Sequence, residues 1–498
     1  MWRRTAALVM VLLLVGTMAL ALVPLPRATA AGADIIVGPD ETLDWVGVNR
    51  TLDGKVTVLG KLNVRDSVLW YNVKGTTTAS IWVRTTGQVT FENTTLQNMT
   101  DSNYLSIFKV EGKFVARNSA LFHLSGSYLT GGGIKCVGGK VDLQDTNVTT
   151  CEAMAISVEG PSGSAVVERC NLQGKQYGIT VKDGASIDVR NTTIEGFATM
   201  GVTITNATGE FLNCNIRSDT NSTVSKGIGV RAAHLDMTGT TITNCNTDAV
   251  ELVENTTGEL RDCEMYNCTV GVRMTGLTGD MHVWGCRIHD NIDGMNIYMS
   301  SGVSIEQCSL VGNLNGISSK DCAGGYTLTD NRIGNNSQLG CYVVGKGFSE
   351  TGTIWTDVDG HGNSKARVKQ MWSLDLQVND KSGRNVSGAV VLITTSDGTE
   401  FNYTTNSAGK VPSGIVLEGY RIMDNGTRID APGYKVTITL GLVTAKKTVV
   451  MDRDKGLTVI LGEAEKVSPL RTPLGMATIA LIIIAILCGA AYWYIRLR

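Results

Sequence analysis

The feature that most constrains the fold is a repeat. Aligned on a small residue two positions before an aliphatic one, the chain gives Ser67, Thr94, Ser119, Thr146, Cys170, Thr192, Cys214, Thr240, Cys263, Cys286, Cys308 and Asn331, spaced 22 to 27 residues apart. Two residues on stand Leu69, Leu96, Leu121, Val148, Leu172, Ile194, Ile216, Ile242, Met265, Ile288, Leu310 and Ile333. Side chains two apart face the same way on a strand, so both positions are expected to point inward. A second strand follows in each repeat, with inward pairs such as Ile156/Val158, Ile179/Val181, Val250/Leu252 and Met295/Ile297. Between them fall outward polar residues, among them Ser157, Thr180, Thr203, Glu251, Arg273 and Asn296. A period of two carried on a longer fixed period means a solenoid, whose units cannot bury their faces alone and must stack.

Three residues past the aliphatic, the last five repeats carry Cys245, Cys268, Asn291, Asn313 and Asn336. Amides stacked at one turn can hydrogen-bond along the axis of in-register parallel strands. With its period, this ladder resembles the right-handed parallel β-helix family. The expected fold is therefore all-β: about 12 rungs over residues 31–350, with a connector at 351–368. From residue 369 to 462 the period is gone, and LDLQVNDKSGRNVSGAVVLITTSDG followed by YKVTITL reads as short antiparallel strands with turns between them. That stretch resembles the carboxypeptidase-regulatory-like β-sandwich, a transthyretin-like module that is usually non-catalytic.

The ends address the chain. Arg3 and Arg4 precede an apolar run and a small-residue site near residue 30, the form of a secretory signal peptide over residues 1–30. Residues 474–495, opening on Leu474 and closing on Ile495, hold no charge and are long enough for one transmembrane helix. Tyr492, Trp493 and Tyr494 suit an interfacial belt, and Arg496 and Arg498 put the C-terminus in the cytoplasm. The expected location is the cell membrane, single-pass, with the ectodomain outside and residues 463–473 as a stalk. Thirteen glycosylation acceptors fall in that exterior: Asn49, Asn93, Asn98, Asn147, Asn191, Asn206, Asn221, Asn255, Asn267, Asn335, Asn385, Asn402 and Asn425. Part of their abundance follows from the preference for Asn and Thr in rung turns. A net charge of −2 gives no footprint for nucleic acid.

Chemistry has few candidates. Cys263, Cys286 and Cys308 read as core residues, since buried free cysteine packs as a small hydrophobe. Cys245 and Cys268 share a turn column and are the better disulfide candidates in an exported chain. The five histidines share no column, so no metal site and no cofactor is expected. The repeat alone is similar to that of periplasmic copper-accessory β-helix proteins. Parallel β-helices also include pectate lyases and polygalacturonases, and Asn246-Thr247-Asp248 and Gly360-His361-Gly362 resemble polygalacturonase motifs. The Asp-Asp pair and the Arg-Ile-Lys of that family are missing. Hydrolysis needs two carboxyl groups flanking the bond. Asp248 has only Glu251 nearby, and Glu251 aligns with Arg273, as Glu264 does with Arg287. No residue is assigned a catalytic role; Asp248 and Glu251 are those an enzyme would use. Trp45, Trp70, Tyr71, Trp82 and Tyr104 gather in the first rungs, either to cap the open end of the core or to stack on sugars.

The three-part arrangement resembles archaeal envelope proteins. That resemblance implies a non-catalytic extracellular scaffold for adhesion, envelope association or glycan binding, with polysaccharide and lateral copies of itself as partners. The alternative is a polysaccharide lyase or glycoside hydrolase acting on an acidic polysaccharide.

Overall fold

A computed structural model describes residues 34–71, 81–98, 108–124, 132–218, 222–351, 353, 355, 363, 366–412 and 414–462. The expected signal peptide, stalk and membrane span lie outside the described residues, as do Tyr104, Asn221, His361 and most of the connector. Among the described residues no helix is long and apolar enough to cross a membrane. They fall into two compact units: one up to Val368 together with Met423–Gly426, the other made of Lys369–Ile422 and the residues from Thr427.

The first unit is a parallel β-solenoid with three strands per turn. One turn shows the pattern: Tyr177–Lys182 lies in sheet A, Ser186–Arg190 in sheet B and Thr193–Phe197 in sheet C, before Met200–Thr205 returns to sheet A. Every solenoid pairing between successive turns is parallel, as in Ile179↔Val202, Val189↔Phe211 and Ile194↔Ile216. The expected inward pairs are all buried, Ile179, Val181, Val250, Leu252, Met295 and Ile297 at 0% exposure. Sheet B is the strand that the two-strand reading of the repeat passed over. Sheet C has thirteen strands, one more than the rungs expected. The additional first turn puts Val48 where later turns have a polar residue, and its amide donates to Ser67 Oγ at 3.1 Å.

The small residue of the repeat is buried as expected, but at a corner rather than on a strand. The residue before it turns the chain in the left-handed region: Asp66, Asn93, Asn118, Asp145, Asn191 and Asp262 have φ near +50°. Asn and Asp tolerate that conformation better than other non-glycine residues. The next side chain then reaches back. Thr192 Oγ1 donates to the Arg190 carbonyl at 2.8 Å and accepts from the Cys170 amide at 3.2 Å. Cys170, Cys214, Cys286 and Cys308 donate Sγ–H to the equivalent carbonyl, from 3.2 to 3.5 Å. The cysteines are thus corner donors as well as packing groups. The same stereochemistry accounts for sequons, because Asn93, Asn191, Asn206, Asn267 and Asn335 all occupy left-handed corners.

The asparagine ladder forms at the opposite corner of sheet C. Asn291 N–H donates to Asn313 Oδ1 at 3.0 Å, Asn313 N–H to Asn336 Oδ1 at 3.1 Å, and Asn336 Nδ2 to Asn363 Oδ1 at 2.9 Å. Each amide also returns a bond to the preceding turn, Asn313 Nδ2 reaching the Ile288 carbonyl at 3.0 Å. Asn291, Asn313 and Asn336 are buried, and so is Asn363, which sequence alignment did not reach.

In the second unit, an antiparallel sheet runs in the order Glu400–Thr404, Val390–Thr394, Tyr434–Leu440 and Val443–Val449. Separately, residues 374–379 pair in parallel with Lys455–Ile460, and Ile415–Ile422 pairs antiparallel with Arg428–Asp430. Leu376, Val378, Val391, Ile393, Val436 and Ile438 share one buried core.

Candidate functional site

The outward face of sheet A carries the densest functional chemistry. One column runs in unbroken register along it: Thr57, Trp82, Lys109, Lys135, Ser157, Thr180, Thr203, Gly229, Glu251, Arg273, Asn296, Ser318 and Tyr342. Parallel strands hold such positions about 4.8 Å apart, so the face presents one position per turn at a fixed repeat, with Gly229 its one gap in side chains.

At its centre, charges from adjacent columns lock together. Arg273 grips Asp248 through Nε at 2.9 Å and Nη2 at 2.8 Å, and Lys226 Nζ lies 2.5 Å from Glu251 and 3.7 Å from Asp248. Asp248 is 2% exposed, so its carboxylate depends on that grip. Burial pulls the Arg273 pKa down, but the bond to Asp248 and the charges of Asp248, Glu251 and Asp293 outweigh it and hold the guanidinium above its ordinary value. Two turns beyond Asp248 in the same column stands Asp293. Among the described residues no cation lies in ion-pair contact with it, Arg273 feeling its charge only at longer range; it accepts from Asn315 Nδ2 at 2.9 Å, Ser318 Oγ at 3.0 Å and Asn296 Nδ2 at 3.4 Å.

Toward the first turns the face is cationic. Lys55, Arg84 and Lys109 surround the Trp82 ring with cations 4.1 to 4.7 Å from its centroid, and Glu111 is the carboxylate bridged to both Arg84 and Lys109. Further on, Glu159 takes Lys135 and Lys182 at 3.5 Å each, and Ser157 at 3.0 Å. Ser157, expected to face solvent, is 1% exposed beneath that cluster. Along this face the buried polar atoms Trp82 Nε1, Thr180 Oγ1 and Asn315 Oδ1 have no partner among the described residues.

The structure separates the other expectations. Asp248 and Glu251 do come together, but each is bound to a cation. The motif leading into Asp248 serves the stacking: Asn246 N–H donates to Ser225 Oγ and Thr247 Oγ1 to the Ser225 carbonyl. The aromatic cluster divides, since Trp45 and Tyr71 are buried in the core, while Trp70 donates Nε1 to Asn49 Oδ1 at 2.9 Å. Cys245 and Cys268 are stacked free thiols, the Cys245 amide 3.4 Å from Cys268 Sγ. Bonding to Cys268 and burial push the Cys245 thiol up. On sheet C, His289 bridges Glu264 at 3.1 Å and Asp290 at 2.7 Å and stacks on Tyr266. Among the described residues no group of three or more His, Cys, Asp or Glu is placed to hold a metal ion.

Lys226, Asp293 and Asn315 are the site residues that sequence reading missed. The available signal was register: adding the local repeat to Asp248 gives Val270 and then Asp293.

With this geometry in view, comparison with known proteins places the turns that build it. Residues 201–353 match the family model for a right handed beta helix region. That stretch holds Lys226, Asp248, Glu251, Arg273 and Asp293. No curated protein matches the sequence. Among solved structures, the chain is similar to the A-module of an Azotobacter vinelandii mannuronan C-5 epimerase, at 12% identity, covering 60% of this chain and 91% of that one with a TM-score of 0.32. It is also similar to a mutant of a periplasmic alginate epimerase, at 10% identity, 70% and 79% coverage and a TM-score of 0.36. Pectate lyase Pel9A is similar at 12% identity, 59% and 69% coverage and a TM-score of 0.24.

Proposed function

We propose that the chain is an exported, membrane-anchored β-helix whose sheet A face holds an acidic polysaccharide without cleaving it. The observation that carries this reading is the set of unpartnered buried atoms on that face, Trp82 Nε1, Thr180 Oγ1 and Asn315 Oδ1. Buried polar atoms are ordinarily satisfied, and each exception needs an explanation, of which a bridging water drawn in with a bound ligand is one. Trp82 and Thr180 stand in one column of the face and Asn315 in the neighbouring column with Asp293, and strands stacked at a fixed spacing suit a ligand that itself repeats. The excess of cations around Trp82 favours carboxylate-bearing sugars, and the rings of Trp45 and Tyr71 are too buried to stack on a neutral one. Cleavage is disfavoured because Asp248 and Glu251 are committed to Arg273 and Lys226.

The remaining parts complete a surface protein. Residues 1–30 direct export, residues 474–495 anchor the chain, and the second unit acts as a carboxypeptidase-regulatory-like spacer. The exterior sequons carry glycans, and an oxidising exterior joins Cys245 to Cys268. The test is retention of the purified protein on immobilised acidic and neutral polysaccharides, with and without calcium, following new reducing ends and unsaturated products. Retention on acidic polymers without products supports the proposal, and release of products overturns its non-catalytic part.

One observation favours a catalytic second reading. Among the described residues Asp293 accepts hydrogen bonds from neutral donors, and it lies two strand spacings, about 9.6 Å along the axis, from Asp248. That is near the upper end of the separation found in inverting glycosidases. Products abolished by Asp293→Asn would promote that reading.

A further inference from the structure

The second unit carries an apolar tip that its own fold does not require. Tyr434–Leu440 and Val443–Val449 form a hairpin closed by Gly441 and Leu442, with Leu440 paired to Val443. Gly441 has φ +58°, and among the loop's two residues it alone takes the left-handed region. A two-residue turn of this kind demands glycine at its first central position and makes no apolar demand on the second. Leu442 nevertheless stands at 104% exposure, flanked by Leu440 at 42%, Val443 at 43% and, on the neighbouring strand, Val390 at 47%. Leu440 and Val443, a facing pair, and Leu442 beyond them stand without cover, with Val390 exposed on the other face of the same end of the sheet.

Strand pairing locates this tip within the unit. Val390 pairs with Thr439, beside Leu440. Val390 follows directly from the end of the unit where Val386 N–H donates to the Val378 carbonyl and Asn379 bridges Asn385. Asn379 is also the partner of Ile460, and Leu461 N–H donates to its carbonyl. The described chain ends two residues later at Gly462, against which Lys381 lies. So the chain departs toward its uncharged segment 474–495 from the same end of the unit that displays Leu440, Leu442, Val443 and Val390. Only residues 463–473 intervene, at most about 36 to 40 Å of extended chain.

We propose that this hairpin tip is a membrane-docking surface, with Leu442 and its neighbours seated in the interfacial layer of the bilayer that holds the chain's own anchor. Exposed aliphatic side chains gain from leaving water there, and Lys381, in the turn at the same end, faces the phosphates of the headgroups, while Arg384 is paired with Asp380. The contact would fix the second unit on the membrane surface instead of leaving it on a free tether. This inference rests on the anchored reading of the chain.

The test uses the full chain reconstituted into vesicles of phosphatidylcholine with phosphatidylglycerol. A Leu442→Cys variant is labelled with an environment-sensitive fluorophore; the eleven native cysteines among the described residues are buried and stay unlabelled. A second variant, Asp397→Cys, is labelled in a turn at another part of the unit, and an unlabelled Leu440→Asp/Leu442→Asp variant is compared by limited proteolysis of the segment 463–473. Flotation with the vesicles first establishes whether the chain is anchored. Expected results are a blue-shifted probe at 442 quenched at least threefold more by lipid-borne quencher than at 397, and faster cleavage of the Asp variant with flotation unchanged. Flotation with equal quenching at the two sites overturns the docking surface and leaves the anchor standing. Failure to float overturns the anchor and the docking surface with it.

Discussion

Replacing Asn313 with alanine tests the reasoning about what holds the solenoid in register. The side chain is 1% exposed and serves two backbone groups of the turn before it: its Oδ1 accepts from Asn291 N–H at 3.0 Å and its Nδ2 donates to the Ile288 carbonyl at 3.0 Å. Asn313→Ala strands the buried Asn291 N–H, while the Ile288 carbonyl keeps its ladder pairing with the strand Ser309–Val311. A stranded buried donor costs about 1 to 3 kcal/mol. A solenoid opens locally, and amide exchange reports the opening free energy of a segment, with about 1.4 kcal/mol per factor of ten. Exchange of the amides around Asn291 is therefore expected to accelerate about 5- to 140-fold, read by mass spectrometry on peptides covering residues 286–316. The control is Asn296→Ala on the outward face, whose amide reaches only Asp293, at 3.4 Å; it should change those rates less than threefold. Acceleration below threefold in Asn313→Ala would refute the ladder as a structural element.

Other perturbations read other parts of the molecule. Arg273→Ala removes the grip on Asp248 and leaves a buried carboxylate with Lys226 at 3.7 Å; a loss of about 2 to 3 kcal/mol in denaturant unfolding is expected, below the about 3 to 5 kcal/mol of a fully buried pair because the Arg273 side chain is 32% exposed. Arg273→Lys should recover part of that loss, since charge returns without the two-point geometry. Burial raises Cys136, Cys170 and Cys214 from an ordinary value of 9.0 to about 11, and Cys151 and Cys341 to about 12. The unfolded chain ionises these thiols first, so the stability they contribute is fully present below pH 9 and is lost as pH rises from 9 through about 11 to 12. The melting temperature should fall across that window, and an unchanged melting temperature would contradict the burial. Cys170→Thr should fold normally, because Thr146 and Thr192 fill the same corner one turn away on either side, and it should flatten the alkaline slope.

The sequence made the solenoid legible wherever a residue type was forced by an inward position. Ile179, Val250 and Met295 could be placed because alternation leaves no second solution. Asn291, Asn313 and Asn336 could be placed because buried stacked amides satisfy one another. Sheet B escaped notice because its alternation is interrupted by residues such as Gly209 and Gly258, where an aliphatic would otherwise mark the inward face. Gly258 takes φ +131°, and a Cβ there would lie 1.9 Å from the Leu235 carbonyl oxygen, so backbone approach overrode the pattern. The candidate site was half legible. Asp248, Glu251 and Arg273 were brought together by the repeat, yet Lys226 and Asp293 belong to the same cluster through register alone, across 22 and 45 residues of sequence that vary from turn to turn. Whether a carboxylate is free or gripped is a property of side-chain reach, and no periodicity reports it.

The central claim is that sheet A's outward face holds an acidic polysaccharide. Hydrogen exchange of the protein with and without a bound polyuronate tests it most directly. The account predicts slowed exchange confined to the sheet A strands, from Ile81–Val83 and Phe108–Val110 through Tyr177–Lys182 and Val270–Thr275 to Asn315–Lys320, and their flanking corners, and its loss in a Trp82→Ala/Arg273→Ala variant shown to be folded. Slowed exchange centred on sheet B or sheet C, or none at saturating polysaccharide, would contradict it.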